Sequence, residues 1–367
     1  AFKIAESLKE GASLKERDFI EALKTRYHGK PETSRVDLDL NYAKSMEGLY
    51  KKYPDDNDAA SLYAEALMIT MPWNYWAEDG NPKPDTVKVI STLERVLELD
   101  ENHPLAIHLY IHAVEASSDP GRAEAAADRL GKLVPGAGHL VHMPSHIYWR
   151  VGRYKDASQA NIDAALVDED YIAQCNAQGF YPALYYPHNI HFLWAASTME
   201  GKSELSIESA LKVSNYVSEE QIRSVPFLEF FHTPPLLSYV RFGKWQEILD
   251  YEEPIKDFKY SRSIFNYAKS VAYAAIGDIE NAKKHQKLIT SFVDSLEVEA
   301  MVKAGHPTKQ LIEIANNLAM GSISMYQKDY LSAINNFEKA VLLQDNLPYT
   351  EPPFWYYPTR QTLGHVL

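Results

Sequence analysis

The sequence predicts an all-α protein, a solenoid in which antiparallel helix pairs stack into a right-handed superhelix. Two segments of the chain repeat one spacing of small and aromatic residues. Glycines at 201, 243 and 277 recur where turns between helices are expected, and each is followed by an apolar pattern of helical period. With 46% hydrophobic and 24% charged residues, the 367-residue chain is globular in composition.

The clearest repeating unit spans residues 139–168. Its small and aromatic residues fall at the offsets of the 34-residue tetratricopeptide pattern, in which small side chains let two antiparallel helices touch. These residues are Tyr148, Gly152, Tyr154, Ala157 and Ala164. A second copy near the C-terminus contains Tyr330, Ala333, Phe337, Ala340 and Pro348. A single pair cannot bury its apolar face alone, so neighbouring pairs are expected to stack.

This repeat predicts the domain organisation. Residues 1–53 are expected to form N-terminal helices that pack on the array, and residues 54–367 to form about seven tetratricopeptide pairs. The chain lacks an initiating Met, and residues 358–367 resemble the opening turns of a further helix. Both ends are therefore expected to be cut relative to the natural product.

Charge and cysteine content exclude several classes of function. The formal net charge is -13 and the Lys and Arg residues form no stripe, so the sequence predicts neither nucleic-acid binding nor attachment to an anionic membrane. The longest apolar stretches are too short to cross a bilayer, so a soluble chain of the cytoplasm or periplasm is expected. Cys175 is the single cysteine, which excludes internal disulfides and thiolate-rich metal clusters. The sequence does not indicate an oligomeric state.

Histidines concentrate on the first helices of three consecutive pairs. In these repeats, positions 2, 5, 9 and 12 of the first helix face the inner groove, and positions 4, 7, 8 and 11 pack inward. In two of the repeats, the positions are counted back from the turn glycines at 152 and 201. In the third, the register is the one that directs residues 107, 110, 111 and 114 inward. With these registers, seven histidines face the groove. They are His108, His112, His139, His142, His146, His188 and His191.

This pattern predicts a metal site. Imidazoles three or four residues apart share one helix face and can bind the same ion, and packed helices bring such pairs within bridging distance. Because proline is tolerated in a first helical turn, Pro144 and Pro187 place His142 and His188 near helix starts, with His139 in the preceding loop. The alternative at these positions is a polar groove that binds a peptide or a small anion.

Other polar residues are second-rank candidates. Glu115 continues the face of His108 and His112, as a ligand or as a hydrogen-bond partner of one. Glu65 falls at a groove position of the first clear repeat, and His232 precedes a corresponding helix start. Glu115 and Glu65 could each instead be an ordinary solvated carboxylate. The remaining histidines are interpreted as structural: His28, His103, His285, His306 and His365.

Aromatic linkers adjoin several first helices, at residues 71–76, 180–187, 227–231 and 354–358. Because aromatic side chains bury large areas, these linkers are expected to fold back and close the interior. A functional interpretation is an apolar pocket that holds a small organic substrate beside the metals.

Residues 138–148 (GHLVHMPSHIY), together with residues 110–115 (YIHAVE) and 188–192 (HNIHF), resemble a group of tetratricopeptide-repeat proteins from bacteria and fungi. The resemblance extends over nearly the whole chain and includes Glu65 and the Pro72-Trp73 pair. It implies the solenoid fold and the histidine motif, with further repeats beyond both ends. It implies no reaction.

Two hypotheses of function follow. In the first, the histidines hold two or more transition-metal ions, and copper or iron is preferred to zinc. The protein is then a metal-dependent enzyme that takes a small-molecule substrate, and an oxidoreductase is preferred to a hydrolase. In the second, the groove is an interaction scaffold that binds a peptide without metal. Peptide-clamping grooves favour Lys, Arg and Asn, whereas His and Glu occupy the corresponding positions in this sequence.

Overall fold

The computed structural model describes residues 2–27, 33–77, 79–176, 179 and 181–367. Within these residues the regular structure is helical, apart from one isolated β-bridge between Trp76 and Pro82. Successive helices joined by short turns pack against each other along the chain. The predicted all-α solenoid of antiparallel helix pairs is confirmed.

The chain divides into two compact units, Ala1–Arg153 and Tyr154–Leu367. The helices of the first unit are α1 (Phe2–Leu8), α2 (Leu14–Tyr27), α3 (Arg35–Lys52), α4 (Asn57–Thr70), α5 (Pro84–Leu99), α6 (Pro104–Val114), α7 (Glu124–Leu133), α8 (Gly138–His142) and α9 (Pro144–Arg150). The predicted boundary at residue 53 and the number of repeat pairs stay predictions.

The second unit contains the remaining α-helices and three 3-10 or π-helical segments, one of which, Thr290–Phe292, follows α17. Its helices are α10 (Tyr154–Cys175), α11 (Tyr186–Glu200), α12 (Ser203–Tyr216), α13 (Glu219–Ser224), α14 (Pro234–Arg241), α15 (Trp245–Asp250), α16 (Lys259–Ala275), α17 (Ile279–Ile289), α18 (Leu296–Lys303), α19 (Thr308–Tyr326), α20 (Tyr330–Asp345) and α21 (Arg360–Val366). A π-helical turn, Tyr181–Tyr185, precedes α11, and a 3-10 segment, Pro226–His232, precedes α14.

The turns between paired helices contain the predicted glycines. Gly152, Gly201, Gly243 and Gly277 have φ angles from +66° to +86°, which a residue without a Cβ adopts at little cost. They lie after α9, α11, α14 and α16 respectively. Lys328 takes the same left-handed conformation, with φ of +64°, in the turn between α19 and α20.

Small and apolar side chains fill the interior of the first unit. Helix α6 packs against α4, α5, α7 and α9, so it is enclosed by its neighbours. Ile107, Ile111 and Val114 of α6 are fully buried, as the predicted register requires. No helix in the described ranges is long and apolar enough to cross a membrane.

The aromatic linkers fold back within their own units. In the first unit, Trp76 donates its indole N–H to the carbonyl of Ala113 in α6, at 3.0 Å. In the second unit, residues 354–357 between α20 and α21 are folded onto the helices: Trp355 and Tyr356 are buried, and the Tyr356 hydroxyl lies 3.2 Å from that of Tyr267 in α16. For these two linkers the predicted folding back is confirmed.

Candidate metal centre

Five histidines of the first unit lie together on two helical segments. One segment is α6, and the other is α8 with the adjoining α9. His108 and His112 are one turn apart on α6, and Glu115 follows directly after the last residue of this helix. His139 and His142 are on α8, and His146 is on α9. Since α6 packs against α9 and α8 adjoins α9, the histidine faces of the two segments meet. The imidazole rings of neighbouring residues have centroids 4.8 to 6.4 Å apart.

A helix break at Met143 sets the directions of these side chains. Proline has no N–H, so Pro144 cannot continue the hydrogen-bond pattern of the preceding turn, and α8 ends where α9 begins. The expectation that His139 lies in a loop is therefore wrong, because His139 is inside α8. His142 is the last residue of α8 and directly precedes the N-cap of α9, so it lies near a helix start, as expected. Pro144 is at the start of α9, as predicted.

Glu115 connects the two segments. One carboxylate oxygen lies 2.7 Å from Nδ1 of His112, and the other lies 2.7 Å from Nδ1 of His146. Burial by itself would raise the pKa of this fully buried carboxyl group, but the His146 and His112 rings hold it well below its ordinary value. An ionised carboxylate only accepts hydrogen bonds, so both Nδ1 atoms donate and both Nε2 atoms carry the lone pair.

Arg150 of α9 fixes the end of α6. Its guanidinium donates to the backbone carbonyl of Glu115 at 2.7 Å and to that of Ser117 at 3.1 Å. The last carbonyls of a helix have no partner within the helix, and a cationic donor at this end is favourable. Arg150 therefore holds the backbone that carries the carboxylate.

The Nε2 atoms form two close pairs. Nε2 of His142 lies 2.8 Å from Nε2 of His146, and Nε2 of His139 lies 3.2 Å from Nε2 of His108. Two imidazole nitrogens bound to one ion at 2.0–2.1 Å are about 2.9 to 3.4 Å apart, depending on the coordination angle. Without an ion, one nitrogen of each pair must donate to the other.

A three-histidine group is formed by His108, His112 and His139, with one ring nitrogen from each inside a space of 4.8 Å. Burial is the main cause that lowers the pKa of His108 well below its ordinary value, and the His112 and His139 rings add to it. Burial also lowers the pKa of His139, to about 3, and that of His146. Neutral imidazole is the form that coordinates transition metals.

The other two predicted ligands lie on α11 in the second unit. The His188 ring lies 6.0 Å from that of Phe192. The His191 ring is packed among Trp194, Phe230 and Phe231, at centroid distances of 4.9 to 5.3 Å. No metal-type group of three or more His, Cys, Asp or Glu in the described ranges includes His191. Whether these two residues bind metal stays a prediction.

The second-rank residues have separate environments. Glu65 on α4 is half-buried, and this burial raises its pKa. His232 donates through Nε2 to the carbonyl of Val217 at 2.7 Å, which leaves only Nδ1 for another role. His103 accepts from the Ala106 N–H at the start of α6.

His306, one of the histidines interpreted as structural, is buried. Its ring lies 5.2 to 5.6 Å from those of Phe230, Tyr260 and Phe354, within the second unit. Its partners come from segments distant along the chain, so spacing alone could not show this packing. His28, also interpreted as ordinary, lies outside the described residues.

Neither a family model nor a curated protein sequence matches the chain. The histidine-motif family named from the sequence therefore stays a prediction. Among solved structures, the human IFIT1 dimer with m7Gppp-AAAA is similar with a TM-score of 0.42 and 13% identity, over 100% of this chain and 75% of that one. A similarity this weak carries no argument about function.

Proposed function

We propose that the chain is a metal-binding solenoid protein whose first unit holds transition-metal ions on its clustered histidines. The ligands are His108, His112, His139, His142 and His146. Glu115 anchors two of them as a hydrogen-bond partner and is not itself a ligand.

The observation that carries this proposal is the double hydrogen bond of Glu115. Histidines that bind a metal through one ring nitrogen almost always donate the other N–H to a carboxylate, a carbonyl or water, which fixes the tautomer and the orientation of the ring. In the first unit, one buried carboxylate does this for His112 and His146 at 2.7 Å each.

Two ions fit the ligand set better than one. Five imidazoles exceed one tetrahedral shell, and their Nε2 atoms fall into two close pairs, His108 with His139 and His142 with His146. The first pair is completed by His112, whose ring nitrogen lies in the same 4.8 Å space. We therefore expect one ion on the three-histidine group and a second on His142 and His146, with Glu115 bonded to one ligand of each.

The metal is proposed to be copper or iron, and the activity that of an oxidoreductase. Imidazole suits copper, iron and zinc, and paired redox ions supply one-electron or dioxygen chemistry, whereas zinc supplies only Lewis-acid chemistry. The protein side chains would bind and orient the ions. His188 and His191, on α11 of the second unit, stay candidate metal ligands that rest on the sequence pattern alone.

The test is elemental analysis of the purified, untagged chain, with copper, iron and zinc counted per chain. We expect one to three equivalents in the unmodified protein. His142→Ala and His108→Ala should each remove about one equivalent and leave the helical circular-dichroism signal unchanged. His365→Ala, which changes an exposed histidine of the second unit, is the matched control and should retain all of the metal.

No metal in the unmodified protein, even after addition of each ion, would contradict the proposal and favour a groove that binds a peptide without metal. Zinc alone would retain the metal site and exclude the oxidoreductase. Full metal content in both alanine variants would show that the ions are bound elsewhere.

A further inference from the structure

The second unit contains an open pocket that the proposed metal centre does not use. Its volume is about 400 Å³. Arg241, at the end of α14, lines one part of it, and residues of α19, α20 and α21 line the rest. Because α14 is distant from the other three helices along the chain, the pocket forms only when the second unit folds.

The lining is apolar on the inside and polar at the opening. Phe337 of α20 is fully buried, and Met325 of α19 is half-buried, so these two side chains form the inner surface. Gln361 and His365 of α21 are exposed. The pocket therefore opens to solvent on the side of α21, where a ligand can enter.

Arg241 supplies the charge of the pocket. Its guanidinium carbon lies 5.1 Å from the centroid of the Tyr357 ring. Among the residues that the structure describes, its side chain makes neither an ion pair nor a hydrogen bond. A guanidinium has five N–H donors in a planar fork and is always charged. The donors of Arg241 are thus available to a ligand.

Tyr357 holds this guanidinium in position. The Tyr357 side chain is only 8% exposed, and its hydroxyl lies 2.5 Å from that of Thr362, which also lines the pocket. Burial raises the pKa of Tyr357, so the ring is neutral and leaves the positive charge of Arg241 uncompensated. A cation that is already fixed over an aromatic face loses less freedom when a ligand binds.

The other polar groups of the lining oppose no anion. Neither Asp nor Glu lines the pocket in the described ranges of the chain. Ser322 donates its hydroxyl to the carbonyl of Leu318 at 2.8 Å, and Gln361 and His365 add an amide and an imidazole. A cationic ligand would meet the charge of Arg241, whereas a carboxylate would match its planar fork with two parallel hydrogen bonds.

The volume indicates the size of the ligand. An engineered cavity of about 150 Å³ binds benzene. The pocket of about 400 Å³ is more than twice as large, so it has room for roughly two rings and a carboxylate. Pockets of this size with mostly apolar walls and a few placed polar groups are typical of sites for small organic molecules.

We propose that this pocket binds a small organic carboxylate with an apolar body of roughly two rings. The carboxylate accepts two hydrogen bonds from Arg241, and the apolar body contacts Met325 and Phe337. The site belongs to the second unit, and the proposal does not rest on metal binding by the first.

The main probes are 2-naphthoate, 2-naphthamide and 2-naphthamidinium, which have the same number of non-hydrogen atoms and differ in charge. Binding to the full chain is followed by the shift of the Met325 methyl group in nuclear magnetic resonance spectra, because Met325 lines the pocket. Met325→Leu removes this signal and so assigns it.

We expect 2-naphthoate to bind with a dissociation constant of about 1 mM or tighter, an ordinary affinity for a ligand of its size. The amide and the amidinium should bind at least about tenfold more weakly, because each lacks the charged acceptor. Acetate has the carboxylate without the rings, and it too should bind at least about tenfold more weakly, since the apolar contacts are lost.

Arg241→Gln removes the charge, so it should weaken 2-naphthoate binding by about tenfold or more and abolish the preference over 2-naphthamide. Arg223→Gln is the matched control. The Arg223 guanidinium also lies over a ring, that of Phe258 at 5.8 Å, but it pairs with Asp257 at 2.9 Å and does not line the pocket. This variant should bind 2-naphthoate as the unmodified chain does. Helical circular dichroism checks that both variants fold.

The comparison of probes on the unmodified chain tests the proposal even if a variant does not fold. Equal binding of 2-naphthoate and 2-naphthamide would overturn it, as would equal binding of 2-naphthoate and acetate. A 2-naphthoate complex that leaves the Met325 methyl signal unshifted would place the ligand elsewhere and have the same consequence. So would unchanged affinity in a folded Arg241→Gln variant.

The titration is repeated after bound metal is removed with a chelator, because a carboxylate can also bind a metal ion. The shift of the Met325 methyl group should be unchanged. Binding that disappears with the metal would mean that the ligand is held by the ions, and the pocket proposal would be wrong. If the unmodified chain contains no metal but binds 2-naphthoate beside Met325, only the metal proposal fails.

Discussion

The carboxylate of Glu115, at the end of α6, accepts a hydrogen bond from Nδ1 of His146 on α9, at 2.7 Å. Both side chains are buried, with 1% and 2% exposure. The other oxygen of the carboxylate accepts from His112. One acidic residue therefore orients two imidazoles from different helices and directs their Nε2 atoms away from itself.

Glu115→Gln should weaken metal binding by about 10- to 100-fold, the usual cost of losing a partner of a metal-bound histidine. A Gln side chain can accept from only one of the two Nδ1 atoms, so one imidazole loses its fixed tautomer. The measurement is a competition titration with a chelator of known affinity. Glu98→Gln changes an exposed carboxylate on α5 and should leave affinity unchanged. Equal affinities for both variants would exclude the anchoring role.

The second unit should lose stability in acid because of His306. Burial lowers the pKa of this imidazole from 6.5 to about 3, so between these values the unfolded chain binds more protons than the folded chain. Stability therefore rises with pH across this window: the contribution of the neutral ring is fully present above pH 6.5 and is lost as the pH falls towards 3.

Urea denaturation at pH 7 and pH 5 checks this prediction. His306→Phe keeps an aromatic ring among Phe230, Tyr260 and Phe354 and removes the titration, so the loss of unfolding free energy between the two pH values should be smaller than in the unmodified chain. His365→Phe alters an exposed ring and should show the unmodified slope. An identical slope in the His306→Phe variant would show that another group carries the acid sensitivity.

Glu229 should have the opposite pH dependence. Burial raises the pKa of this carboxyl to about 7, although it accepts the backbone N–H of Ser261 at 2.7 Å. Between pH 4.5 and 7 the folded chain binds more protons than the unfolded chain, so stability falls as the pH rises, and the cost of the buried charge is fully present above pH 7.

Glu229→Gln retains the carbonyl oxygen that accepts from Ser261 and cannot ionise. At pH 8 the variant should be more stable than the unmodified chain by about 2 kcal/mol, and at pH 4.5 the two should be nearly equal. The measurement is the free energy of unfolding at both pH values. Glu338→Gln, at an exposed position on α20, is the control and should change stability at neither pH. A destabilised variant at pH 8 would show that the carboxylate itself is required.

Local features of the fold could be predicted from the sequence because they depend on neighbouring residues. Glycine is the residue that adopts a left-handed turn at least cost, as at 152, 201, 243 and 277, and the helical period directs Ile107 and Ile111 inward. The same register places His108, His112 and Glu115 on one face of α6. These inferences need only the helix period and the repeat length.

Other features depend on tertiary packing and could not be predicted. The helix breaks at Met143 because Pro144 begins a new short helix, α9. The residues before the break form α8, and this helix includes His139. The sequence allowed Glu115 a partner role, but its two hydrogen bonds require the approach of α9 to α6. His306 meets Phe230 and Phe354 only in the folded second unit, since these residues are distant along the chain.

Gly321 on α19 packs against Phe337 on α20, and this contact tests the packing of this helix pair. A Cβ atom at Gly321 would lie 2.6 Å from Cδ1 and 2.9 Å from Cζ of the Phe337 ring, which is fully buried. Gly321→Ala should therefore destabilise the chain by about 1 to 3 kcal/mol, since an overpacked core forces neighbouring side chains or backbone to move.

Gly48→Ala is the matched control, because Gly48 is also inside a helix, α3, and a Cβ at this position meets nothing within 4 Å. It should stabilise the chain by about 0.5 to 1 kcal/mol through helix propensity alone. Combining Gly321→Ala with Phe337→Leu should cost less than the sum of the two single changes, because the smaller side chain makes room for the added methyl group. Additive costs in urea denaturation would mean that the glycine is required for a reason other than contact with this ring.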